Sequence, residues 1–131
     1  MNFAYTIVYV PDVPASLAFF ERAFGLATRF MDETHSYGEV ETGAGGAKLA
    51  FVDHQTARAS VQHDYVAADA SPKPLGMEIG FTVADVQAAY DRAIAAGAHA
   101  LARPVAKPWG QTVAYVRCPD GCLVELCTAM G

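Results

Sequence analysis

The sequence predicts an α+β fold built from two β-α-β-β-β modules, and three observations carry that prediction. The first is an internal repeat. Ile7–Ala15 (IVYVPDVPA) lies over Gly80–Ala88 (GFTVADVQA) at a constant offset of 73 residues, with Val10, Asp12, Val13 and Ala15 identical to their counterparts. The second is that each copy passes from a β-branched or aromatic stretch to an Asp placed to cap a helix, then to helical spacing, then to a Gly in a C-cap position. The third is the stretch from Gln111 to Cys127, in which the apolar runs Thr112–Val116 and Leu123–Cys127 flank Pro119-Asp120-Gly121. Pro fixes φ and Gly tolerates φ > 0, so this segment reads as strand, tight turn, strand.

Taken in order, module one covers residues 1–52. Its first strand puts Thr6, Val8 and Val10 on one side and Tyr5, Ile7 and Tyr9 on the other. Val13, Leu17, Phe20 and Phe24 then form the apolar stripe of a helix that stops at Gly25. Ala27–Asp32 is a short strand, and Tyr37–Thr42 with Lys48–Val52 forms a hairpin around Gly43, Gly45 and Gly46. Residues 53–76 fit neither copy and read as a structureless connector, supported by Ser71-Pro72-Lys73-Pro74; His54, His63 and Tyr65 read as solvated loop residues. Module two covers 77–131. Ile79, Phe81 and Val83 oppose Glu78, Gly80 and Thr82; Val86, Ala89, Tyr90 and Ala93 form the stripe before Gly97; His99–Ala102 precedes the final hairpin.

Composition sets limits on function. At 131 residues, 53% hydrophobic and 18% charged, the chain suits one domain, 1–131, with a substantial core. A net charge of −5 argues against nucleic acid and anionic membranes as partners and leaves small molecules and proteins. No apolar run reaches a membrane span, and Met1–Thr6 lacks the basic start of a secretion signal, so a cytoplasmic location is expected. Cys118, Cys122 and Cys127 match neither redox nor zinc spacing and are expected to be reduced thiols, with a Cys118–Cys122 disulfide as the alternative.

The residue that stands out is Glu125. In the last strand Val124 and Leu126 share one face while Leu123, Glu125 and Cys127 share the other, which places a carboxylate mid-strand. The Val8/Val10 and Phe81/Val83 faces suit helix packing. The opposite face therefore collects Tyr5, Ile7, Tyr9, Glu78, Gly80, Thr82, Ala50, Leu123, Glu125 and Cys127.

The doubled module, the Tyr9-Val10-Pro11-Asp12-Val13 start with Phe19-Phe20 in its helix, and the Pro119-Asp120-Gly121-Cys122-Leu123-Val124-Glu125-Leu126 finish resemble the vicinal oxygen chelate superfamily of glyoxalases, extradiol dioxygenases, fosfomycin-modifying enzymes and bleomycin-resistance proteins. The resemblance implies curved mixed sheets around a half-open trough, with the helices outside. It also implies a metal held by side chains from the first and last strand of each module, which match Tyr5, Ala50, Glu78 and Glu125 here. Only the two glutamates ligate well, and a catalytic divalent metal wants three or more His or carboxylate ligands. No metal and no cofactor are therefore expected. His35 reads as a surface residue at a strand start, and Trp109 as an aromatic at the strand entrance that could roof the trough.

Three readings follow. The chain is a non-catalytic protein that sequesters a drug-like or aromatic cationic ligand, as the antibiotic-resistance branch does. Alternatively it is a glyoxalase- or dioxygenase-like enzyme, a lyase or oxidoreductase with an atypical site, either a depleted metal site or one in which Glu78 or Glu125 serves as general base. The third is a trough kept for assembly alone. Loss of ligands favours the first, with Tyr5, Ile7, Tyr9, Ala50, Glu78, Trp109 and Glu125 as the ligand-binding set. The family pattern further implies a homodimer that completes each trough, with exchange of modules between chains left open.

Overall fold

The repeat builds two four-stranded sheets. The computed structural model describes residues 1–130. Module one contains β1 (Tyr5–Val10), α1 (Val13–Phe24), β2 (Thr28–Met31), β3 (Tyr37–Val40) and β4 (Lys48–Asp53). After α2 (His54–Val61), module two contains β5 (Ile79–Thr82), α3 (Val86–Ala96), β6 (His99–Ala106), β7 (Thr112–Arg117) and β8 (Leu123–Cys127). Strand order is β1-β4-β3-β2 in one sheet and β5-β8-β7-β6 in the other. Each first helix carries the chain across its sheet, and two antiparallel returns then bring the last strand parallel to the first. No helix among the described residues is long and apolar enough to cross a membrane.

The predicted caps are where the repeat placed them. Asp12 accepts a hydrogen bond from the Ala15 amide at 3.0 Å, and Asp85 accepts one from Ala88 at 3.0 Å. Gly25 and Gly97 end the helices at φ of 70° and 117°, which side chains with a Cβ avoid. From there the apolar stripes do the packing. Val13, Leu17 and Phe20 of α1 and Val86 and Ala93 of α3 are buried, while Phe24, Ala89 and Tyr90 are partly so. Phe20 is fully buried, with its ring centroid 4.8 Å from that of Phe51 on β4 and 6.5 Å from that of Phe81 on β5. One side chain thus joins the two sheets, and its burial contributes about 1.5–3 kcal/mol. The helices lie on the Val10, Phe51, Phe81 and Leu126 faces, as the alternation required.

Several boundaries move. β2 ends at Met31 because Asp32 turns inward, accepting from the amides of Ser36 at 2.8 Å and Tyr37 at 3.1 Å and closing the turn itself. β3 ends at Val40, two residues early. β6 runs to Ala106 instead of Ala102. Two register shifts against β7 let this edge strand continue past Pro104, which has no amide hydrogen to give. β5 begins at Ile79, so Glu78 stands just ahead of its strand. All three cysteines are buried free thiols.

The connector requires the largest correction. Asp53 accepts from the Thr56 amide at 2.7 Å and caps α2, and a 3-10 turn follows at Ala68–Ala70. The segment lacks hydrophobic periodicity because only Ala57 of α2 is buried, so its order comes from polar contacts that no apolar pattern announces. Arg117 of β7 donates to the carbonyls of Ala68 and Ser71, both at 2.8 Å. His54 and Tyr65 are partly buried and hydrogen-bonded to one another, whereas His63 is exposed as expected.

Two contacts tie the final hairpin to the rest. At Gly121, φ is 91° and a Cβ would overlap the Ala68 carbonyl, so glycine is required both for the turn and for the close approach of the connector. Gly121→Ala should lower stability by roughly 2–3 kcal/mol and release the amides of residues 68–71 to faster exchange; chemical denaturation and hydrogen exchange check this. The second contact is Asp120, 6% exposed, which accepts from Ser16 Oγ of α1 at 2.8 Å and from the Cys122 amide at 3.1 Å.

Burial raises the Asp120 carboxyl above its ordinary value despite both bonds. The folded state therefore binds the proton more tightly than the unfolded chain does. The stabilisation that proton confers is present below the unfolded value of 3.8 and is lost as pH rises through the raised folded value. Asp120→Asn keeps an acceptor without the charge. Its stability relative to the wild type should improve between about pH 4 and pH 7, as read by urea midpoints across that range.

Candidate functional site

Side chains facing away from the helices define the candidate site, and they fall into two groups. In module two, Glu125 of β8 is flanked by Gly80 on β5 and Tyr115 on β7. A Cβ at Gly80 would meet nothing within 4 Å, so that flank is open. Tyr115 donates its hydroxyl to Glu125 Oε1 at 3.2 Å. Glu78 adjoins the same carboxylate and feels its charge. Partial desolvation, then the hydrogen bond and charge of Glu125, raise the Glu78 carboxyl. Desolvation also pushes Glu125 upward, but bonds from Cys127, Glu78 and Tyr115 and the charge of Lys107 outweigh it and hold Glu125 low. Of the two, Glu78 therefore takes up a proton more readily and Glu125 gives its proton up more readily. The same carboxylates raise Cys127 to about 11, behind burial as the larger cause, so it stays a thiol.

In module one, Tyr5 is 52% exposed and Ile7 and Tyr9 are half-buried. Ala50 is fully buried, opposite Ile7 on one side and Glu39 on the other. Glu39 was not among the predicted residues. It is 8% exposed and accepts from the Tyr37 hydroxyl at 2.5 Å, with Arg29 at 3.7 Å and Lys48 at 4.0 Å. Burial, together with the bond to Glu39 and its charge, pushes the Tyr37 phenol up to about 12. The carboxylate missing at position 50 is thus supplied one strand over. Pairing Tyr37–Thr42 with Lys48–Val52 around the glycine turn held the signal for Glu39, but only the register shows which residue stands across from Ala50.

The two groups do not merge within one chain. Glu78 and Glu125 come together, and Ile7 and Tyr9 approach Glu78 across a cavity of about 330 Å³. Glu125, Ala50, Tyr5 and Trp109 do not line that cavity. Trp109 is 64% exposed on the β6–β7 loop, where its indole donates to Gln111 Oε1 at 2.7 Å, and in the single chain it roofs nothing. Tyr65 of the connector forms the wall instead, its ring centroid 5.0 Å from that of Tyr9. His35 is exposed in the turn before β3, at φ of 58°.

A resident divalent metal does not fit this donor set. The matched positions offer two adjacent carboxylates, a phenol and an alanine. Among the described residues no three His, Cys, Asp or Glu side chains group where one ion could reach them, and Glu39 is already engaged by Tyr37, Arg29 and Lys48.

Two β-α-β-β-β sheets with free faces opposite their helices define the glyoxalase-like architecture, and the sequence agrees. Residues 2–126 match the family described as the Glyoxalase/Bleomycin resistance protein/Dioxygenase superfamily, and the chain belongs to that family. Among solved structures, it resembles a glyoxalase-related enzyme from Fulvimarina pelagi at 25% identity and a TM-score of 0.81, covering 98% of this chain and 88% of that one. A protein of unknown function from Agrobacterium tumefaciens matches at 24% identity and a TM-score of 0.78 over 99% of this chain and 95% of that one. A glyoxalase/bleomycin resistance protein/dioxygenase family enzyme from Burkholderia phytofirmans matches at 20% identity and a TM-score of 0.79, over 99% and 100%. No curated protein matches the sequence significantly.

Proposed function

We propose that the chain is a small-molecule binding protein that sequesters an aromatic ligand bearing a positive group, without turning it over. The observation that carries this reading is the Glu78–Glu125 pair. It sets two carboxylates side by side on an accessible face, and among the described residues neither has an ion-pair partner. A cation entering beside Gly80 relieves their repulsion and satisfies both carboxylates, while Tyr115, Tyr5 and Tyr9 offer aromatic surface. Metal-dependent lyase or dioxygenase chemistry is disfavoured, because the donor set above does not suit a metal.

The trough is completed, on this reading, by a second copy. β1 and β5 are both sheet edges and do not pair with each other, so each chain leaves two inner edges open. Beside them Tyr5 and Met77 are 52% and 60% exposed. A two-fold homodimer sets the module-one face of one copy against the module-two face of the other and brings Tyr5 to the Glu78–Glu125 pair.

Isothermal calorimetry against cationic aromatic and glycopeptide drugs should give binding that weakens roughly ten-fold or more in the Glu78→Gln/Glu125→Gln double variant. Equal affinity in the two proteins, or preference for an anionic ligand, refutes the reading. Sedimentation at micromolar concentration should return twice the mass of one chain, and a monomeric mass would refute the shared trough.

A further inference from the structure

The connector lines the cavity with Tyr65, whose hydroxyl belongs to a polar cluster that neither the repeat nor the carboxylate pair contains. His54, at the start of α2, links Asp69 and Tyr65 in one hydrogen-bonded chain: Nε2 lies 2.7 Å from Asp69 Oδ1, and Nδ1 lies 2.6 Å from the Tyr65 hydroxyl. The His54 side chain is 15% exposed and that of Asp69 24%, so the imidazole is mostly covered while Asp69 stands at the surface. Its directions follow from chemistry. A carboxylate can only accept, so Nε2 carries the hydrogen; in the neutral imidazole Nδ1 is then bare and must accept from Tyr65. Tyr65 has that hydrogen to give, because burial raises its phenol above the ordinary value. Once its one hydrogen is committed to His54, the phenolic oxygen can only accept.

The ring is fixed as firmly as the hydroxyl. Tyr9 packs on it with ring centroids 5.0 Å apart, and the Arg58 guanidinium sits 4.9 Å from its centroid. Opposite Tyr65 the cavity is apolar, with Ile7, Leu75 and Leu123 in its lining, and Glu78 is its one carboxylate. Its volume of about 330 Å³ falls at the small end of small-molecule sites.

We propose that this cavity is a binding site for planar aromatic molecules carrying a hydrogen-bond donor, such as a phenolic hydroxyl, with Tyr65 as the accepting anchor and His54 and Asp69 as the residues that position it. This names the class of ligand more narrowly than the reading of the concave face as a ligand site, on which it rests, but it does not depend on the ligand's charge.

The test uses β-naphthol and its methyl ether, two uncharged probes of the same ring system of which only the first can donate, measured by fluorescence titration of the full chain at about pH 8, where an ordinary imidazole is neutral. The wild type should bind the naphthol roughly ten-fold more tightly than the ether, and Tyr65→Phe should bring the naphthol down to the ether's affinity while leaving the ether unchanged. Equal affinity for the two probes in the wild type, no binding of the naphthol, or full preference retained in Tyr65→Phe overturns the proposal. The wild-type comparison decides even if the variant does not fold. Because neither probe is charged, failure here leaves the cation reading of Glu78 and Glu125 standing, and failure of that reading leaves this one standing.

Discussion

Everything else in the molecule depends on the burial of Phe20 between Phe51 of one sheet and Phe81 of the other. Side chains alternate along a strand, so committing the Phe51 and Phe81 faces to the helices leaves one face of each sheet for other use. The free faces are where Glu39, Glu78, Glu125, Tyr5 and Tyr115 collect. A buried aromatic and a period of two thus decide which polar residues can form a site.

The polar residues show how a duplicated scaffold diverges without changing its fold. Each module keeps a carboxylate on the free face, but on different strands. In module two it is Glu125 on the last strand with Tyr115 across from it; in module one it is Glu39 on the third strand with Ala50 across from it. Their surroundings then separate their chemistry. Glu39 is buried with a phenol and two cations, and its charge is spent inside the protein. Glu125 has a carboxylate neighbour in Glu78 and an open flank at Gly80, so it remains accessible. The same residue type is structural in one half and accessible in the other.

Polar contacts also hold the halves together where the aromatic core does not reach. Asp120 receives Ser16 from the first helix, Arg117 holds two connector carbonyls, and Arg92 of the second module donates to the Arg22 carbonyl at the end of α1 at 2.8 Å. These bonds bring the connector against the β7–β8 turn and turn Tyr65 toward Tyr9. One wall of the cavity is therefore made by the connector, through Tyr65, Val66, Ala68 and Leu75.

The modules, the two long helices with their Asp and Gly caps, and the faces of the strands were legible in the sequence because each rests on local spacing: a repeat offset, a period of 3.6 or 2, and residue types whose backbone preferences are fixed by sterics. The mid-strand position of Glu125 was legible for the same reason. What only the tertiary structure decided was nonlocal. Glu39 takes the place left by Ala50 through strand register, α2 is ordered by a cap and by contacts to distant carbonyls, and His54, Tyr65 and Asp69 meet although 15 residues separate the first from the last. A hydrogen bond between residues far apart leaves no period in the sequence. Its partners are set by the path of the folded chain.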